Sequence, residues 1–91
     1  MNKSELIEAL AHDLDLPIRQ TTNILNTILE TMMESLERGD SIEIRGFGSF
    51  VIKTYEPYTG RNPKTGQQIK VRPKKLPFFK VGKELKERVD S

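Results

Sequence analysis

Lys70, Arg72 and Lys74 recur at every second position, a spacing that puts three cations on one face of an extended ribbon and leaves Ile69 and Val71 to the other. They belong to a longer basic stretch. Between Lys53 and Pro77 stand Lys53, Arg61, Lys64, Lys70, Arg72, Lys74 and Lys75, against one acid, Glu56. Fixed cations with so few counter-charges are suited to multiple ion pairing with a polyanion. Catalytic and metal chemistry are poorly provided for. Cysteine is absent, His12 is the one histidine, and Asp13 and Asp15 lack further oxygen ligands at calcium-loop spacing. With no visible nucleophile–base pair, the chain reads as a non-enzyme without cofactor, metal or small-molecule substrate.

The rest of the chain has to present that stretch. Residues 1–44 hold Lys3, Arg19 and Arg38 against nine acids, whereas residues 45–91 hold twelve bases against four acids. Ninety-one residues with 35% hydrophobic content make one domain, 1–91, with a marginal core. Without disulfides or metal, the remaining means of stabilisation is a second chain. No apolar run approaches the roughly 20 residues of a membrane span, and the start has no signal-peptide shape, so a soluble protein of a reducing compartment is expected.

Asn2 is suited to cap a helix, with Glu5 at capping-box spacing. Leu6, Ile7, Leu10 and Leu14 predict an amphipathic helix over residues 3–13, with His12 as a surface residue near its end. Pro17 suits the first turn of a second helix, which Gly39 closes. That helix has an apolar stripe through Ile18, Thr21, Leu25, Ile28, Leu29, Met32 and Leu36. Ile24 and Met33 widen the stripe beyond what the first helix covers, so the helices read as a dimer base.

Ser41–Arg45 alternates as a strand, Gly46-Phe47-Gly48 turns with Phe47 plugging the core, and a second strand starts at Ser49. Gly60–Gly66 is rich in turn formers, so residues 53–76 form a long β-hairpin arm. Such a ribbon without an apolar face is expected to be mobile until a partner holds it. Phe78-Phe79 returns to the core, and Gly82 precedes a short helix, Lys83–Val89, whose first amides near Lys80 and Lys83 could hold a phosphate. The fold class is therefore α+β: a helical dimer base, a three-stranded antiparallel sheet extended into the arm, and a short C-terminal helix.

Three segments carry a resemblance: Ile42-Glu43-Ile44-Arg45-Gly46-Phe47-Gly48-Ser49-Phe50, Gly60-Arg61-Asn62-Pro63-Lys64-Thr65-Gly66, and Pro77-Phe78-Phe79-Lys80-Val81-Gly82-Lys83-Glu84-Leu85-Lys86. Together, in this order, they resemble the bacterial HU/integration host factor family of histone-like DNA-bending proteins over essentially the whole chain. Arg45 and Lys83-Glu84-Leu85-Lys86 look more like the integration host factor beta branch than a typical HU.

The resemblance implies an intertwined dimer, of this chain alone or with a related subunit, whose arms wrap double-stranded DNA through the minor groove. Such wrapping is a known property of the family. By the same resemblance Pro63 matches the arm-tip proline that wedges between base pairs. A rigid, apolar ring without an N–H suits that position. Arg61 and Lys64 would contact phosphate or groove floor, and Asn62 would read acceptor edges. Lys53, Lys70, Arg72, Lys74 and Lys75 would track phosphates along the arm, and Lys80, Lys83 and Lys86 would engage DNA bent along the flanks. Arg45 would contribute sequence preference, the alternative being an ion pair with a neighbouring acid. Tyr55 and Tyr58 stand where many relatives carry arginine. The expected place of action is the cytoplasmic nucleoid. Sequence-neutral HU-like compaction and a module that captures an acidic protein are the rival readings.

Overall fold

A computed structural model describes residues 1–61 and 64–91. It contains two compact units, Met1–Ser35 and Leu36–Ser91.

In the first unit, α1 spans Lys3–Leu14. The Asn2 side-chain oxygen accepts from the Glu5 backbone N–H at 2.8 Å, filling one of the helix's open donors. The helix runs one residue beyond the expected end because Asp15 reverses the chain in the left-handed region, at φ 54°. Asp tolerates this conformation better than most residues. The next helix, α2, spans Ile18–Glu37. Pro17 lies just outside it, not within its first turn. Its carbonyl accepts from both the backbone N–H and the hydroxyl of Thr21, each at 3.0 Å. Those two bonds explain how a threonine can be 1% exposed without leaving a polar group unpaired.

The buried apolar residues are Ile7 and Ala11 on α1 and Leu25 on α2. With Thr21 they form two pairs, each one helical turn apart, so each helix turns only a narrow strip inward. Ile18, Ile24, Ile28 and Met33 remain 41–53% exposed. The expected excess of apolar face on α2 is present.

In the second unit, β1 (Ile42–Ile44), β2 (Gly48–Tyr55) and β5 (Lys74–Val81) form an antiparallel sheet in the order β1-β2-β5. Ile42 lies opposite Phe50, and Phe50 opposite Phe79. Directly paired residues share a face. Ile42, Ile44, Phe50, Ile52, Phe79 and Val81 therefore lie on one apolar face. Phe79 is at the centre of its aromatic cluster, 4.9 Å from Phe50 and 5.4 Å from Phe47.

One sequence expectation needs correction here. Adjacent strand residues point to opposite faces, so Phe79 takes the apolar face and Phe78 the other. Phe47 touches the cluster but is 44% exposed, and Phe79 is 37% exposed, so one chain does not enclose them.

The turn between β1 and β2 shows why glycine is needed there. Gly46 sits at φ 85°, outside the usual range of a side-chain-bearing residue. A Cβ on Gly48 would lie 2.5 Å from the Lys80 carbonyl oxygen and 2.6 Å from the Phe79 ring. Gly82 donates its N–H to the Phe47 carbonyl at 2.9 Å, tying the end of β5 to this turn. The short helix α3, Lys83–Val89, follows as expected.

Beyond the sheet, β3 (Tyr58–Arg61) and β4 (Gln68–Val71) pair separately. The arm is thus two ladders, not one continuous extension. Glu56-Pro57 and Arg72-Pro73 separate them. Each interruption contains a proline that has no N–H to donate to a ladder. The register is nevertheless common: three residues outward from Tyr55 and three back from Lys74 lead to the pair Tyr58 and Val71.

Candidate nucleic-acid interface

The register decides which basic side chains can act together. On the sheet face opposite Phe50 and Phe79, Ser49 pairs with Lys80, Val51 with Phe78, Lys53 with Leu76, and Tyr55 with Lys74. Two residues further the alternation reaches Pro57 and Arg72, and two further again the pair Thr59 and Lys70, followed by Arg61 and Gln68 after another two. Lys80, Lys53 and Lys74 therefore share the outer face of the sheet, Lys70 and Arg61 share one face of the outer hairpin, and Arg72 lies in the interruption between them, which makes a row of six cations along the paired strands. All six are exposed. The spacing of Lys70, Arg72 and Lys74 indicated three of these. Lys53, Lys80 and Arg61 join them only through pairing across the strands.

Along either strand, same-face positions repeat at about 6.6–6.8 Å. Among the described residues, the ion pairs are His12 with Asp13, Arg38 with Asp40, and Lys83 with Glu87. None of these neutralises a cation of the row. Its charge is therefore available to a polyanion without first breaking an internal ion pair.

The remaining expected site residues are placed differently. Lys75 lies opposite Thr54 on the reverse face, away from the row. Lys64 is exposed in the turn between β3 and β4. Asn62 and Pro63, the expected edge reader and wedge, lie outside the described residues. Arg45 is exposed beside the Gly46 turn and makes no ion pair among the described residues. The alternative of a structural salt bridge therefore finds no partner there.

Lys80 belongs to the outer sheet face, whereas Lys83 and Lys86 belong to α3. Lys83 contacts Glu87 at 3.9 Å, but both side chains are largely exposed, which leaves little net attraction. At the start of α3 the Gly82 N–H is already given to Phe47, and Glu84 places a negative charge in the first turn.

His12 is a surface residue as expected, with Asp13 at 3.6 Å. Among the described residues, no three His, Cys, Asp or Glu side chains gather as metal ligands, and no helix is long and apolar enough to cross a membrane. Phe78, which the sequence assigned to the core, is instead part of the cationic face. Its ring centroid lies 3.6 Å from the Lys53 Nζ. The adjacency of two phenylalanines in a strand signals that one must face away, but only the partner strand identifies which.

Comparison with known proteins gives consistent likenesses. Residues 1–90 match the family described as bacterial DNA-binding protein. The integration host factor subunit beta of Mannheimia succiniciproducens is 53% identical over 91 residues, covering 99% of this chain and 97% of that one. The same subunit of Vibrio atlanticus is 52% identical over 92 residues, covering 100% of this chain and 98% of that one. Among solved structures, an Anabaena HU–DNA cocrystal structure aligns with a TM-score of 0.87 at 36% identity, covering 98% of this chain and 97% of that one.

Proposed function

This chain belongs to the bacterial DNA-binding protein family of HU and integration host factor, and from that premise we propose that its cationic row is the surface that grips duplex DNA. The protein is an architectural DNA-binding and DNA-bending protein and not an enzyme. It acts as a dimer on double-stranded DNA. The observation that carries the assignment of the surface is the pairing that sets Lys80, Lys53 and Lys74 on one face of the sheet and Lys70 and Arg61 on one face of the outer hairpin, in a common register.

A second chain also answers the energetic problem of the first. In the β1-β2-β5 sheet and α3 of the second unit, no large apolar side chain is buried. Each such side chain is worth about 1.5–3 kcal/mol when removed from water. Sealing Phe47, Phe79, Ile44 and Val81 against a partner copy supplies stability that the single chain lacks. The whole of residues 1–91 then works as one DNA-binding domain, with its arm over about 53–76.

Within this function, Pro63 is the wedge at the arm tip, with Arg61, Asn62 and Lys64 beside it in the groove. Unstacking a base step costs about a few kcal/mol and is offset by the extra surface and cations that bent DNA reaches. Lys75, Lys83 and Lys86 supply peripheral phosphate contacts. Arg45 discriminates between sites, which makes the bending site-specific; the likeness to beta subunits supports this. The place of action is the nucleoid in the cytoplasm.

A salt titration on duplex DNA tests the surface. Contact with about 6–10 phosphates gives a slope of log affinity on log salt near −5 to −9. A slope near zero, with tight binding to an acidic protein, would instead make the arm a protein-capture module. Pro63→Ala should reduce the bend measured by energy transfer more than it reduces stability, and an unchanged bend removes the wedge. Arg45→Ala should reduce discrimination between a selected site and a random duplex; equal discrimination before and after favours sequence-neutral compaction.

A further inference from the structure

We propose that Phe78 is a positioning residue for DNA binding, its ring holding the Lys53 ammonium in place on the outer face at the root of the arm. The proposal rests on the DNA-binding reading of that face.

The pairing of β2 with β5 sets Phe78 opposite Val51 and Lys53 opposite Leu76, so Lys53 reaches Phe78 diagonally across the ladder. Long side chains span that diagonal. The ammonium lies 3.6 Å from the ring centroid, over the negative face of the π system. Phe78 takes no part in the Phe47–Phe50–Phe79 cluster and is 41% exposed. Its defined contact is with Lys53.

The choice of an aromatic partner matters for a cation that must bind phosphate. A carboxylate would hold Lys53 equally well but would cancel its charge and compete with DNA. A ring holds the ammonium without neutralising it, and the N–H donors turned away from the ring stay open to an acceptor. Lysine also has a long, freely rotating stem, and ordering it opposes binding. A lysine already resting on a ring has lost part of that freedom before DNA arrives. Leu76 and Tyr55, both 49% exposed on the same face, flank the stem with apolar surface.

The test compares wild type, Lys53→Ala, Phe78→Leu, the double variant and Phe78→Tyr on one duplex across a range of salt. Phe78→Leu keeps an apolar side chain but removes the ring, and should weaken binding about two- to fivefold. Lys53→Ala should weaken it at least as much and flatten the salt slope by about 0.9 per arm. The double variant should bind no more weakly than Lys53→Ala, and Phe78→Tyr should bind like wild type. Additive losses, or a Phe78→Leu variant that binds like wild type, overturn the proposal. A measurement on the unaltered protein is independent of variant folding: the Lys53 ε-methylene protons should resonate upfield of the other lysines through the ring current. An ordinary shift overturns the proposal as well. Wild-type protein that fails to bind duplex DNA overturns the DNA-binding reading itself, whereas normal wild-type binding with additive losses overturns only the role of Phe78.

Discussion

The two ladders of the arm are built from the same two stretches of chain in the same register, and they are held together by different means. β2 and β5 pair eight residues on each strand, place Phe50 directly opposite Phe79, and turn an apolar face toward Phe47. β3 and β4 pair four residues on each strand, and Gly60 occupies one of those positions. Thr59, Arg61, Gln68, Ile69 and Lys70 of the outer hairpin are all exposed. The inner ladder is stabilised by side-chain packing, whereas the outer one depends on its backbone hydrogen bonds and the pairs across its strands. A two-stranded ribbon of that kind is marginal in water. The division suits a protein whose inner ladder must keep its shape while the outer one conforms to a deformed duplex.

The sharpest way to separate the two is to remove the outer one. Tyr55 and Lys74 are directly paired, so a two-residue Asn-Gly turn can join them in place of residues 56–73. Arg61, Lys64, Lys70 and Arg72 are lost with that segment. Equilibrium sedimentation should still find a folded dimer. Duplex affinity should fall about a hundredfold or more, and the salt slope should flatten by about 1.8 per arm, for the phosphate contacts of Lys70 and Arg72 at 0.9 each. Loss of the dimer would mean that the outer ladder is structural after all.

A single methyl group should do the reverse. Gly48→Ala drives a Cβ against the Lys80 carbonyl oxygen, backbone that cannot swing aside as a flexible side chain could. Overpacking of this kind costs roughly 2–3 kcal/mol. The thermal midpoint should fall by about 10–20 °C at fixed protein concentration. A midpoint within a few degrees of wild type would show that the inner ladder is less tightly packed than its geometry indicates.

Hydrogen exchange gives a smaller but more local contrast. Amides of β3 and β4 should exchange near the rates of unstructured peptides, while those of β2 facing β5 should be protected. Saturating duplex DNA should slow the outer set and leave the inner set little changed. Equal protection in the free protein would remove the distinction. The mildest perturbation is Pro57→Thr with Pro73→Thr, which restores the missing N–H donors between the ladders. Exchange in β3 and β4 should slow, with stability changed by only about 0.5 kcal/mol. Unchanged exchange would mean that the prolines do not cause the interruption.

Much of this architecture is legible in the amino-acid sequence. Asn2 and the spacing of Leu6, Ile7 and Leu10 predicted α1, because capping and helical periodicity are local properties. The excess apolar width of α2, marked by Ile24 and Met33, was likewise readable. The basic stretch and its turn formers predicted an arm. Pro57 and Pro73 are equally visible in the sequence, but reading residues 53–76 as one hairpin takes no account of the ladder donors they lack.

The residue sequence therefore determined the elements, the charge of the arm and the need for a second chain, all of which follow from neighbours along the backbone and from the shortage of apolar material. Tertiary structure alone decided the membership of the cationic face. It brought Lys80 and Lys53 into one row with Lys70 and Arg61, turned Lys75 to the reverse side, and sent Phe78 outward to meet Lys53. The reason is the twofold alternation of a strand: a slip of one residue in pairing would exchange the two faces. The pairing of Phe50 with Phe79 fixes the choice, and those two residues are brought together only by folding.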